Sequence, residues 1–392
     1  MHGPPRFRVR LAYRAAAGVF WIAWVCGLAQ PANSAARVSS SLDTEKISVT
    51  QLENLLESVQ RKSDWNIANR LSHLKLIERL STSQRLRLAS RLPGIHSRQA
   101  LTVLADESEF MDSPAEEPLK RSAPSPAAQK AILDLAAENL NQSIPNLPNF
   151  LATRSTDIYE ETPPESDPVR ETDVPGQPLH WVARTKTNVV NRKGGEREDS
   201  DHGKDELIDK SSLRMETSGE FGPMLASLLS DILHGSFEWS GWEQGASGPL
   251  AVFHYSIPAQ WSGFRIVGSP PWSAFRKIPP YHGVIVFDEA SGEIQRVTRE
   301  AEMGPDDPVS RADVLVEYGS VEIDGKYYRC PVRSVAVTRV QIIPANHSVM
   351  LSTDNHLTGY RSTVGHGPMQ MKLNDVRFTD YRKFGSKARL IF

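Results

Sequence analysis

Cysteine is nearly absent from this chain: Cys26 and Cys330 are its only two. Cys26 lies inside the first apolar stretch. If that stretch is removed, Cys330 stands alone and no internal disulfide can form, even in an oxidising compartment. Cys330 sits in Tyr327-Tyr328-Arg329-Cys330-Pro331, a strand ending at proline. It reads as a small buried hydrophobe, because a catalytic thiol needs a neighbouring base and a depressed pKa. Excess charge is also missing. The formal net charge is −2, which argues against generic binding of nucleic acid or an anionic membrane. No phosphate-cradling glycine loop, zinc-protease helix or nucleophile elbow occurs. Ser, His and Asp are present, but no local sequence marks them as a triad.

Acidic residues are missing from the beginning of the chain, where the first is Asp43. Arg6, Arg8, Arg10 and Arg14 make a basic start. Ala15 to Leu28 is an apolar run of 14 residues, and Gly27-Leu28-Ala29 offers the small residues a signal peptidase reads. Residues 1–29 are therefore read as a cleaved secretory signal, which sends the protein to the periplasm or the extracellular space. A second cleavage point follows Ser34-Ala35-Ala36. The alternative is an uncleaved membrane anchor, although the run falls short of the ~20 residues that span a bilayer. Lipidation at Cys26 is disfavoured by the Trp24-Val25 before it.

The rest of the chain is long enough for two domains, and its 39% hydrophobic content is that of an ordinary globular protein. Residues 42–110 read as a helical module. Ser48-Val49-Thr50-Gln51 is a capping box with Ile47 and Leu52 as its staple. A second helix from Asp64 carries Ile67, Leu71, Leu74, Ile77 and Leu80. Ser81 to Gln84 is another capping box, opening a helix with Leu86 and Leu88, and 97–104 gives a short fourth. Residues 111–128, rich in proline, serine and charge, read as a linker. A helix is expected over 129–142. From Asn149 the apolar period becomes two. Strands are expected over 150–160, 179–192, 213–217, 237–244, 250–257, 281–288, 293–299, 312–318, 321–329, 332–343 and 373–384, with a favoured turn at Asp324-Gly325. Residues 161–178 are read as a proline loop and 193–210 as a charged loop. One helix, 219–234, interrupts the strands. The fold class is α+β: a small helical bundle, then a curved antiparallel sheet over 129–392.

Val284-Ile285-Val286-Phe287-Asp288 followed by Ser291-Gly292-Glu293-Ile294 resembles the strand–Asp–turn–Gly–strand hairpin of periplasmic lipoprotein carriers and outer-membrane lipoprotein-sorting proteins. Leu315 to Tyr318, Val321 to Tyr328 and the closing Val376 to Phe384 match the layout that follows in that family. The whole chain is also similar to large secreted bacterial proteins of unknown function, with their Leu147-Pro148-Asn149-Phe150 and Ser218 to Gly222 segments. The resemblance implies a half-open barrel packed on one helix, whose concave face holds acyl chains.

Strands apolar on both faces must be covered on both. In 250–257 and 281–288 both faces are apolar, and a single helix can cover one of them. The other needs an apolar ligand, a partner, or the helical front and loops. The leading expectation is a non-enzymatic binding protein holding a lipid or other apolar group. Its lining would be Trp239, Trp242, Phe253, Tyr255, Ile257, Ile285 and Phe287. The alternative is an envelope scaffold or interaction module with a filled core and a partner on residues 42–110. A hydrolase is the third reading. No cofactor, metal, catalytic residue or nucleic-acid partner is expected. Asp201, His202 and Asp205, like His347, Asp354, His356 and His366, lack recurring ligand spacing and read as solvated loops.

Overall fold

Local capping signals open several helices of the computed structural model. It describes residues 44–383 apart from 60, 115–118, 120, 168–171, 193–194, 199–222, 233, 269–274 and 343–367. Strand β1 (Glu45–Ile47) leads into α1 (Val49–Val59). There the amide of Ser48 donates to Gln51 Oε1 at 2.8 Å and that of Gln51 to Ser48 Oγ at 3.2 Å. Ser63 caps α2 (Asp64–Ser72). A short strand, β2 (Leu74–Leu76), comes before α3 (Thr82–Ala89), whose Ser81–Gln84 capping box is complete. Helix α4 (Ile95–Ser108) begins where the Asp64 carboxylate accepts from the His96 and Ser97 amides at 3.1 and 2.9 Å. Ser125 and Pro126 open α5 (Pro126–Ser143).

The strands follow as β3 (Phe150–Thr162), β4 (Glu165–Asp167), β5 (Thr172–Val174), β6 (Gln177–Arg192) and β7 (Gly195–Glu198). Helix α6 (Pro223–Ile232) separates these from β8 (Ser236–Gln244) and β9 (Pro249–Ile257). A ribbon of β10 (Ile266–Val267) and β11 (Arg276–Lys277) leads to β12 (Tyr281–Asp288), β13 (Ile294–Ala301), β14 (Val309–Ile323), β15 (Lys326–Gln341) and β16 (Met369–Lys383). Turn chemistry fixes two hairpins. Asp324 and Gly325 both take positive φ, 55° and 76°, as a two-residue turn of this kind requires. Between β12 and β13, Asp288 Oδ1 accepts from the Ala290 and Ser291 amides at 3.1 and 2.9 Å, and Gly292 lies at φ 69°.

The half-open barrel is not what forms. Ten strands make one open antiparallel sheet in the order β7-β6-β3-β16-β15-β14-β13-β12-β9-β8, and its two outer strands do not pair with each other. The expectation took two-faced apolar strands as a reason to curl. Here the second face is covered by helices, so burial does not require curling. On one face Ala251, Phe253, Tyr255, Ile257, Tyr281, Ile285 and Phe287 pack against Ile132, Ala136 and Leu140 of α5 and Leu225 and Leu228 of α6. On the other, Tyr159, Leu315, Val335, Val337 and Leu373 pack against Val103 of α4, with Phe110 beside them. A third cluster joins Phe150, Ala152, Val189, Cys330, Val376 and Phe378. The helical front has its own core around Leu52, Ile67, Leu71, Leu88 and Leu101.

Three local readings change. The helix expected to carry Leu74 and Ile77 stops at Ser72. Leu74-Lys75-Leu76 alternates instead and pairs in parallel with Glu45–Ile47, leaving Ile77 exposed. Strands appear inside the expected proline loop as the β4–β5 pair. Another strand, β7, lies inside the expected charged loop and pairs with β6. The signal segment, the strand expected over 213–217 and both sets of loop His and Asp residues lie outside the described residues. No described helix is long and apolar enough to cross a membrane.

Candidate functional site

The seven residues read as a ligand lining lie together on β8, β9 and β12. Trp242, Phe253, Tyr255, Ile257, Ile285 and Phe287 are all buried in the core under α5 and α6, and Trp239 is half-buried against it. Their rings pack edge to face, with Trp239 4.8 Å from Trp242 and 5.2 Å from Phe253, and Phe253 6.4 Å from Phe287. These are the tilted arrangements that ring quadrupoles favour. Polar ends are satisfied within the chain. Trp242 Nε1 donates to Ser122 O at 3.1 Å, and the Arg121 guanidinium lies 4.1 Å over the Trp242 ring. The Tyr255 hydroxyl donates to Thr298 O, and that of Tyr281 to Asp231 at 2.8 Å. Burial pushes both phenols well above their ordinary range. Arg299 lies 5.0 Å over the Tyr281 ring and donates to Met224 O at 2.8 Å, which ties α6 to the sheet. A cavity beside α5, lined by residues including Leu140, Ile144, Leu225 and Ile294, measures about 10 Å³, room for one water.

On the opposite face the structure assembles a group that sequence reading missed. Arg333 of β15 projects under the end of α4 and is ion-paired there with Asp106. Its Nη1 lies 3.0 Å from Glu109 and 3.6 Å from Glu317, and its Nε 3.0 Å from Asp375. Arg79 bridges Glu109 at 3.9 Å and Glu243 at 3.1 Å, and Arg296 also holds Glu243, at 2.9 Å. Burial raises the Asp106 and Glu109 carboxyls above the usual range, Asp106 strongly. Asp106 Oδ2 has no hydrogen-bond partner among the described residues. A signal for this cluster does exist in the sequence. Arg333 falls on the same alternating face as Val335 and Val337, and Asp106 lies at helical spacing from Val103 and Phe110.

Acid also accumulates further along this face. Glu300 lies across from His282 on one side and Asp313 on the other. Burial pushes its carboxyl up to about 7, helped by the charges of Asp313 and Asp112 and opposed by Arg311. His282 stands 3.9 Å from Glu300 and 3.4 Å from Glu302, and His254 3.3 Å from Asp112. An unfolded Glu300 titrates near 4.5. Between these two pH values the folded state holds a proton that the unfolded chain has lost, so stability falls as pH rises. Urea unfolding should show a loss on the order of 2 kcal/mol from Glu300 between pH 5 and 8. E300Q should flatten that slope.

Among the described residues no group of three or more His, Cys, Asp and Glu is placed to hold a metal ion. Cys330 is buried, and its thiol is pushed up to about 12. The helical front presents an apolar surface instead. Trp65 is 67% exposed and stacks on His96 at 4.3 Å between ring centroids, next to Ile95, 60% exposed.

No family model matches the sequence, and no curated protein does. Two solved structures are similar in part. A DUF1329 family protein from Desulfovibrio piger aligns over 67% of this chain and 94% of its own, at 10% identity and a TM-score of 0.26. MucB, solved in complex with MucA(peri), aligns over 66% of this chain and 99% of its own, at 11% identity and a TM-score of 0.17. At these scores the likeness decides nothing about fold or chemistry.

Proposed function

We propose that this chain is an exported, non-enzymatic interaction module with a filled core, and that a protein partner docks on its helical front. One observation carries the reading. Both faces of the sheet are packed by the chain's own helices, while Trp65 and Ile95 are held out on the front by the Asp64 cap and the His96 stack. Adjacent exposed apolar side chains form a patch of the kind that marks contact surfaces, and tryptophan is among the residue types enriched at the centre of such contacts. The aromatic side chains of β8, β9 and β12 are then packing residues. A basic leader suits an envelope location.

Two measurements test this. Native mass spectrometry of the exported protein should give the bare polypeptide mass, and a lipid retained at fixed stoichiometry would overturn the filled core. A photo-crosslinking residue in place of Trp65 should yield a discrete protein adduct in intact envelopes. The same residue in place of Tyr327, which is 72% exposed but lies on β15 beside the Asp324-Gly325 turn, should yield none. Equal labelling, or none at either position, would refute docking on the front.

A further inference from the structure

The ribbon between β9 and β12 has a composition unlike the rest of the chain. No acidic residue occurs between Glu243 and Asp288, although the sequence holds 47. Arg265, Arg276 and Lys277 fall in that interval. In the ribbon Val267 pairs with Arg276 and Ile266 with Lys277. Arg265, Val267, Arg276 and Ile278 are exposed, while their alternating neighbours Ile266, Phe275 and Lys277 are half-buried. One side of a two-stranded ribbon thus presents two arginines and two aliphatic side chains to solvent. Val267 and Ile278 are 51% and 48% exposed, and Trp261, just ahead of the ribbon, is 45% exposed. Neither Arg265 nor Arg276 has an ion-pair partner among the described residues. Lys277 is different: it is ion-paired with Asp307 and anchors the opposite side. Gly268 N donates to Phe275 O at 2.9 Å, and Gly263 N to Asp231 at 2.8 Å, so the segment is tied down at both levels.

We propose that this side of the ribbon docks on the surface of an anionic phospholipid bilayer. Charge complementarity selects this occupant: two arginines with no ion-pair partner among the described residues flank exposed aliphatic residues, and no carboxylate in the segment repels phosphate. An apolar side seated at the acyl boundary with basic residues at the headgroups is how interfacial elements bind, and tryptophan favours the same depth. The chain's net charge of −2 disfavours generic attraction to such a bilayer, but the bilayer's field acts within about a Debye length, so the local charge of this side governs docking. The inference is independent of the filled-core reading.

The test is sedimentation of the exported protein with phosphatidylcholine vesicles, with and without phosphatidylglycerol. Binding is expected only with phosphatidylglycerol, and it should weaken as salt is raised. Each basic residue near such a surface is worth roughly fivefold, so R265E/R276E should weaken binding by about 30-fold or more. V267S/I278S should also weaken it, and both variants alter exposed side chains and should keep the wild-type circular dichroism. Three results would overturn the proposal. The first is no binding to either vesicle, and the second is equal binding by wild type and both variants. The third is a wild-type dimer that the variants dissolve, which would make a second copy of the chain the occupant.

Discussion

Replacing Arg333 by alanine should destabilise the protein by about 3–5 kcal/mol, read as a lower urea midpoint at neutral pH. Burying an ion pair costs solvation on both sides, and good geometry roughly repays it. Removing one partner forfeits the repayment while leaving the others buried. Asp106, Glu109 and Asp375 all converge on this one guanidinium, and all three are buried. Arg79 touches only Glu109, at 3.9 Å, and is shared with Glu243. D106N is the informative contrast. Burial raises the Asp106 carboxyl well above its ordinary range, which disfavours its charged form, and asparagine keeps both the shape and an acceptor for Arg333 while Glu109 and Asp375 stay in place. Its cost should be about 1 kcal/mol or less. If R333A also cost that little, the ionic cluster would not hold the helical front on the sheet.

What the sequence made legible was local. The Ser48 and Ser81 capping boxes, the Asp324-Gly325 turn and the strand Tyr281–Asp288 each depend on neighbours within a few positions. Leu71, Leu74 and Ile77 follow helical spacing, yet Leu74–Leu76 forms a strand because β1 offers it a partner, and periodicity does not report partners. The pairing of β3 with β16, which sets Tyr159 against Leu373, closes a loop of nearly the whole sheet. No short-range pattern encodes it. The two-faced apolar strands did require cover on both sides, and that inference was sound. Whether the cover would be a ligand, a partner or the chain's own α4 depended on Arg333 meeting Glu109 and Asp106, 224 and 227 positions away, and no short-range pattern pairs them. The seven residues read as a lining lie in or against one cluster on their shared strands, but a list of apolar residues does not say what fills the volume beside them.

Phe253→Ala separates the two meanings of that group. In a filled core, Phe253 is locked between Trp239 and Phe287, beneath the two helices of the same cluster. Its removal leaves a cavity that these rings close only in part. The expected cost is about 3–5 kcal/mol, and the new void, lined by apolar side chains, should stay dry and take up a small aromatic such as benzene. That uptake would recover part of the lost stability through mass action. A residue lining an open ligand site behaves in the opposite way. Its truncation would cost the ligand-free protein little, because one side of the ring already lacks partner atoms, and would reduce binding instead. Thermal unfolding of wild type and F253A, each with and without benzene, reads both quantities together. Destabilisation with partial rescue in the variant, and no response in wild type, is the outcome the packing of β8, β9 and β12 predicts. A wild-type protein that benzene stabilises would mean that the space beneath α5 and α6 is already open.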